Sequence, residues 1–260
     1  MATTTVSPQA RKRGEDTSAG KALALLDAFS GSLGVLGVTA LAERADVTKP
    51  TAHRLLKALV TAGYVRRVGD RYCLSEHVFE MGNRVRSCRP SGIREVAGPY
   101  LGELFAETRQ TVQLAMLSGT DVLYLDKVAG RDAAPCQTSV GARRPTYATG
   151  LGKALLAFAD SETIHANLRV PFRRFTPHTL AAGPFMRCLD GVRQDGFATD
   201  HEELRRGVNC VAAPVIDPRT GRAIAAISVC STSPSAEQRY LRALQRITGE
   251  LSARYHLISV

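Results

Sequence analysis

The chain has no tryptophan, and only 6% of its 260 residues are aromatic. Its interior must therefore be filled mainly by Leu, Val, Ile and Ala. No apolar run approaches the ~18 residues that span a bilayer, so no transmembrane helix is expected. The N-terminus, MATTTVSPQARKRGEDTSAG, has a basic cluster with no apolar segment behind it and does not read as a signal peptide. The six cysteines (Cys73, Cys88, Cys136, Cys188, Cys210 and Cys230) are widely scattered, with no CxxC pair. Neither a zinc site nor a disulfide scaffold is indicated, and reduced thiols in a cytoplasm are the expectation. No internal repeat or long low-complexity segment is present, and no nucleophile–base constellation stands out. No metal, cofactor or catalytic residue is expected.

What the chain does have is positive charge, formally +10. Up to Pro90 there are 14 Lys+Arg against 8 Asp+Glu, a net of +6; the other 170 residues carry 20 and 16, a net of +4. The excess is denser in the N-terminal third. A localised basic excess favours nucleic acid over a membrane surface.

That third contains the most informative stretch, Thr39 to Arg67. Thr39 is expected to cap a first short helix, whose apolar stripe starts at Leu41 and Ala42. Asp46-Val47 breaks the pattern. Thr48 is the expected N-cap of a second helix, and Pro50 sits near its first position, where a missing N–H costs nothing. Ala52, Leu55, Leu56, Leu59 and Val60 then recur at helical spacing and predict one buried face. The other face presents Lys49, Thr51, His53, Arg54 and Lys57. Gly63 is the expected residue beyond the helix end. Tyr64 to Arg67, a Gly69-Asp70 turn, and Arg71 to Leu74 predict a β-hairpin. This order is that of a helix-turn-helix with a β-wing. The predicted DNA-binding residues are Thr48, Lys49, Pro50, Thr51, His53, Arg54 and Lys57 on the helix, with Arg66, Arg67 and Arg71 on the wing. The partner is double-stranded DNA.

Residues 1–17 read as a flexible arm, 18–75 as the winged helix-turn-helix, 76–90 as a linker helix and 91–260 as a second domain. The first domain should open with a helix from Ser18 to Phe29, with Leu23, Leu25, Leu26 and Phe29 inward, followed by a loop from Gly31 to Gly37. The linker pattern from Glu76 to Ser87 is apolar at Val78, Phe79, Met81 and Val85, and could pair with a second copy. In the second domain, helices are expected over Ile93–Arg109, Leu151–Ala159, Leu189–Asp195 (beginning near Leu180) and Ala236–Tyr255. Strands are expected over Thr111–Leu117, Val122–Val128, Cys136–Val140, Phe197–Thr199, Asn209–Ile216 and Ala223–Val229. Helices at the edges of a mainly antiparallel sheet define an α+β class.

Two segments of this domain point to a ligand. Arg144 to Ala154 places Thr149, Gly150 and Gly152 before a helix whose free amides suit a carboxylate; it does not satisfy the Walker A pattern. Asp195 to Glu203 places an acidic turn between two strands, and Gly207 to Val215 follows.

Three ordered segments, TKPTAHRLLKALVTAGYV, RRPTYATGLGKALLA and DGFATDHEELRRGVNCVAAPVIDPRTGRAIAAISVC, together resemble the IclR family of bacterial transcription regulators over about Ala19 to Tyr255. The resemblance implies a winged helix-turn-helix, a linker helix and a GAF-like effector domain. It implies homodimers, often paired into tetramers, that bind operator DNA and respond to a small metabolite, here expected to be an organic acid. By position it points to Gly150 and Leu151, whose amides would hold a carboxylate, and to Asp200, Cys210, Ser228 and Cys230. The position of Cys230 is often a serine in such proteins, and a thiol is the weaker hydrogen-bond partner. Two other readings stay open. One is a constitutive DNA-binding protein without an effector. The other is a thiol enzyme with Cys210 as nucleophile and His201 or Asp200 as base.

Overall fold

A computed structural model describes residues 17–30, 34–85, 87–88, 91–130, 134, 136 and 138–258. Most of the expected N-terminal arm, including Arg11, Lys12 and Arg13, lies outside these residues. The chain divides into two compact units at Arg86/Ser87.

The first unit contains α1 (Ser18–Asp27), β1 (Leu36–Gly37), α2 (Val38–Arg44), α3 (Lys49–Thr61), β2 (Val65–Val68), β3 (Arg71–Leu74) and α4 (Glu76–Gly82). Leu25, Leu41, Leu55, Leu56, Val65 and Tyr72 meet in its core. Leu23, expected inside, is 63% exposed. At 100° per residue, Leu23 and Leu25 point to different sides of α1, and only the Leu25 side meets α2 and α3. Val60 is also exposed, on the flank of the stripe formed by Ala52, Leu55, Leu56 and Leu59. The segment expected as a loop up to Gly37 ends in β1, which pairs with β3 at Leu36↔Tyr72 and completes a three-stranded sheet in the order β1-β3-β2. Two residues are too short for an alternation signal. Helix α4 stops at Gly82, short of the expected Ser87, where a glycine is a poor helix former. Its Phe79 and Met81, and Val85 beyond it, stand exposed.

The second unit contains α5 (Ile93–Thr108), β4 (Thr111–Ser118), β5 (Asp121–Val128), β6 (Arg143–Pro145), a 3-10 turn (Thr146–Ala148), α6 (Gly150–Ala157), α7 (Ser161–Leu168), α8 (Ala182–Asp195), β7 (Ala198–His201), β8 (Asn209–Asp217), β9 (Arg222–Ser231) and α9 (Ala236–Ile258). The strands form one antiparallel sheet, order β6-β5-β4-β9-β8-β7. The third strand is Arg143–Pro145 rather than Cys136–Val140; no strand forms at the described residues of the latter. Helix α7 carries no expectation from the apolar pattern, because only Ile164 and Asn167 of it are buried.

The sheet is covered on both faces, and the period of two explains how. Val112, Leu114, Val211, Ile227 and Val229 point to one side and pack with Leu101 and Leu104 of α5 and Leu244, Ile247 and Leu251 of α9. Ala115, Ala212 and Ala226 point to the other side, against Leu151 and Leu155 of α6 and Phe185 and Leu189 of α8. The second face is lined by smaller residues, which lets α6 lie close and leaves room beside it.

Candidate functional site

In the first unit both helices of the helix-turn-helix end the same way. After α2, Asp46 takes a left-handed conformation (φ 51), Asp46 N–H donates to Glu43 O, and Val47 N–H donates to Ala42 O at 3.0 Å. After α3, Gly63 (φ 82) donates to Val60 O and Tyr64 to Leu59 O. Both are Schellman closures, which satisfy the last carbonyls and turn the chain sharply. At the first, Asp occupies the left-handed site that Gly usually takes, one of the few side chains that tolerate it.

Position 48 is the N-cap of α3, but the Thr48 side chain hydrogen-bonds Thr51 Oγ1 at 2.9 Å and makes no cap bond to the backbone. Pro50 lies in the first turn, as its fixed φ favours. Thr39 does not cap α2: Gly37 holds that position without a side-chain bond, because α2 starts one residue before Thr39. The wing turns at Gly69 (φ 64), with Val68 opposite Arg71. Ser75 Oγ donates to Gly63 O, and Ser75 N–H to Tyr64 O, tying the base of the wing to the end of α3.

Of the predicted DNA-binding residues, Thr48, Lys49, Pro50, His53, Arg54, Lys57, Arg66, Arg67 and Arg71 are exposed, and Thr51 is half-buried. Two wing arginines already have partners in the chain. Arg66 sits 3.4 Å from Glu76 Oε1, and Arg67 Nε donates to Gly69 O at 2.9 Å. At such exposure an ion pair contributes at most about 1 kcal/mol, so a phosphate can displace it.

In the second unit, a cavity of about 490 Å³ opens beside the start of α6. Gly150, Leu151, Asp200, Cys210, Ser228 and Cys230 all line it. Sheet alternation explains why. Gln113, Cys210, Ser228 and Cys230 point to the α6 face at positions where the flanking residues Val112, Val211, Ile227 and Val229 fill the opposite core. The cavity wall is thus made of small or polar side chains set into apolar strands.

Helix α6 enters the cavity with its N-terminus. Thr149 caps it, accepting from Gly152 N–H at 3.0 Å, while Lys153 N–H donates to Thr149 O. Gly150 and Leu151 are the first-turn residues whose amides have no intrahelical acceptor. The glycines serve two ends. A Cβ on Gly152 would overlap the Thr146 carbonyl, so this glycine is required by packing. A Cβ on Gly150 would only touch Ala212 at 3.4 Å.

Opposite α6 stands the β7–β8 turn. Asp200 is 5% exposed, and its Oδ1 accepts from Glu203 N–H at 2.7 Å. Glu202 is left-handed (φ 57), and the hydroxyls of Thr176 and Thr179 donate to Glu203 O, which holds the turn closed. Glu203 Oε1 accepts from Lys153 Nζ at 2.6 Å, both side chains nearly inaccessible. Burial raises the Asp200 carboxyl to about 7; the nearby Glu203 adds to this, while Lys153 and the backbone donors oppose it. Burial likewise raises the Tyr124 hydroxyl, with Asp200 reinforcing it. Arg205, on the same turn, lines the cavity with its Nη1 buried and, among the described residues, without a hydrogen-bond partner.

The expectation of reduced thiols is overturned. Cys210 and Cys230 are paired as a disulfide, Cα atoms 4.1 Å apart. They stand directly opposite each other in the β8/β9 register, a proximity that a spacing of 20 residues does not announce. The pairing also removes Cys210 as a nucleophile in this form, and His201, the other proposed partner, is exposed. Gln113, Tyr124 and Arg205 were not among the sequence candidates. Gln113 had a signal, a lone amide within the apolar run of β4; Arg205, in a turn rich in charge, had none.

Comparison with known proteins follows the same two-part division. The IclR helix-turn-helix domain matches residues 18–69, and the family description "Bacterial transcriptional regulator IclR C-terminal" matches residues 86–259. The regulator XynR of Escherichia coli (strain K12) is 34% identical over 225 residues, covering 85% of this chain and 88% of that protein. The regulator KdgR of Dickeya chrysanthemi is 33% identical over 198 residues, covering 75% of this chain and 64%, just under two thirds, of that protein. An IclR homolog from Microbacterium hydrocarbonoxydans, solved in complex with 4-hydroxybenzoate, shares the fold with a TM-score of 0.84 at 22% identity, over 93% of this chain and all of that one. Matched along both units by sequence, and built as a winged helix-turn-helix followed by an α+β domain, the chain belongs to the IclR family of bacterial transcriptional regulators.

Proposed function

We propose that this regulator reads operator DNA with α3 and the β2–β3 wing, and that an organic acid bound in the cavity of the second unit sets its affinity for that DNA. The carrying observation is the cavity's lining. Among the described residues, Arg205 Nη1 is buried without a hydrogen-bond partner, and Arg205 lines the cavity together with Gly150 and Leu151. A buried donor left unpaired costs about 1–3 kcal/mol, more when charged, and a carboxylate relieves it. Asp200, near pH 7 in its titration, can be protonated and donate to the same ligand. The 4-hydroxybenzoate of the Microbacterium homolog is an acid of this class.

The protein acts as a homodimer in the cytoplasm. Two copies present two α3 helices to two half-sites, one or more helical turns apart, and the exposed Phe79, Met81 and Val85 support pairing of α4 with a second copy. An acid that favours one placement of the DNA-reading units changes operator affinity, and operator DNA changes acid affinity by the same factor.

Fluorescence anisotropy on DNA from immediately upstream of the protein's own gene, against scrambled DNA at fixed near-physiological salt, tests the first part. Several-hundred-fold preference for the upstream DNA is expected. Equal, strongly salt-dependent binding to both would mean that only counterion release is measured. Titrating acids into the same assay tests the second part, and unchanged affinity throughout would leave a constitutive DNA-binding protein.

A further inference from the structure

We propose that Cys210 and Cys230 are a reversible dithiol–disulfide site inside the cavity, oxidised by small disulfides, and that its two forms offer a ligand different hydrogen-bonding walls. The second half rests on the reading of the cavity as the effector site; the first does not.

The geometry is set by the sheet. The two cysteines face each other across β8 and β9, joined in the structure, while Cys73, Cys88, Cys136 and Cys188 are unpaired. Both line the cavity, so a small reagent entering it meets them. Cys210 is half-buried and Cys230 2% exposed, which makes Cys210 the first to react. Its thiolate attacks one sulfur of a disulfide RSSR; that S–S bond breaks, and the first RS⁻ leaves and takes up a proton. The Cys230 thiolate then attacks the Cys210 sulfur of the mixed disulfide and expels the second RS⁻, which is also protonated. The protein gives up two protons and two electrons, and RSSR becomes two RSH.

The wall changes through Gln113. Its Nε2 donates to Thr138 Oγ1, which leaves its Oε1 facing Cys230 Sγ at 3.6 Å. Ser228 Oγ lies 3.7 Å from the same sulfur. A Cys230 thiol can donate to Gln113 Oε1. A disulfide sulfur carries no proton, so oxidation frees the Gln113 oxygen for a ligand hydroxyl and turns the Ser228 hydroxyl elsewhere. Gln113, Thr138 and Ser228 all line the cavity.

The test uses the full chain, reduced and then exposed to bis(2-hydroxyethyl) disulfide, with peptide mapping under acid quench. A Cys210–Cys230 cross-linked peptide that dithiothreitol reverses is the expected result, and Cys230→Ser should instead trap the reagent as an adduct on Cys210. Cysteines 210 and 230 that stay reduced, or carry only separate adducts in the native sequence, overturn the proposal. A second arm measures 4-hydroxybenzoate, pyruvate and gluconate by calorimetry against both forms. An affinity differing at least five-fold between the forms is expected for a hydroxy acid that binds, 4-hydroxybenzoate or gluconate. Equal affinities overturn the effect on the wall. Binding of none of the three to either form overturns the organic-acid reading and the wall effect with it, while the cross-link is still decided by the first arm.

Discussion

Lys153 Nζ lies 2.6 Å from Glu203 Oε1, with side chains 1% and 6% exposed, and this pair joins α6 to the β7–β8 turn. Removing one partner leaves an uncompensated buried charge, which costs about 3–5 kcal/mol. Lys153→Met or Glu203→Gln should each lower stability by that order in urea unfolding. The double variant Lys153→Met/Glu203→Gln should lose less than the sum of the single changes, because neither charge remains. Additive losses would mean that the pair is not energetically coupled.

Gly150 and Gly152 differ in what an added side chain would meet. Gly152→Ala would drive a methyl group into the Thr146 backbone, and overpacking against rigid backbone should cost about 3 kcal/mol or more. Gly150→Ala meets only Ala212 and Asp200 at ordinary contact distances. It should fold with stability near the parent. Comparable urea midpoints for the two variants would contradict the close approach of α6 to the Thr146 turn.

The raised Asp200 carboxyl gives a pH dependence with a definite sign. Its folded value is about 7 against an ordinary 3.8, so between those limits the folded state holds a proton that the unfolded state has released. Stability from this group is complete at low pH and is lost as pH rises through 7. Relative to Asp200→Asn, the parent should gain roughly 2–3 kcal/mol between pH 8 and pH 5, at 1.36 kcal/mol per pH unit. Parallel stability curves for parent and variant would show that Asp200 titrates normally. Acid binding should tighten over the same fall in pH, as the protonated carboxyl becomes a donor.

Arg54 is exposed on α3, clear of the core formed by Leu55, Leu56 and Leu59. Arg54→Ala should weaken binding to operator DNA by about ten-fold or more, in line with about 1–3 kcal/mol per base or phosphate contact. The urea midpoint should stay within about 0.5 kcal/mol of the parent. Unchanged DNA affinity would displace α3 from the role of reading helix.

The first unit was largely legible because its signals are local. The breaks at Asp46 and Gly63, the Gly69-Asp70 turn and the α3 stripe each act within a few residues, so the helix-turn-helix and wing follow from short-range chemistry. What was misread there depends on neighbours: Leu23 is apolar but faces no partner, and β1 exists only because β3 lies beside it.

The second unit divides in the same way. The motif segments marked Gly150, Leu151, Asp200, Cys210, Ser228 and Cys230, and the strand pattern established an antiparallel α+β domain. By itself, then, the sequence determined most element types, much of the turn chemistry and the family resemblance. Only the tertiary structure decided that residues 113, 150, 200, 205, 210 and 230 share one cavity, that Lys153 reaches Glu203 fifty positions away, and that Cys210 faces Cys230. Those contacts arise from strand register and sheet order, which are set by packing over the whole domain, not by any short window of residues.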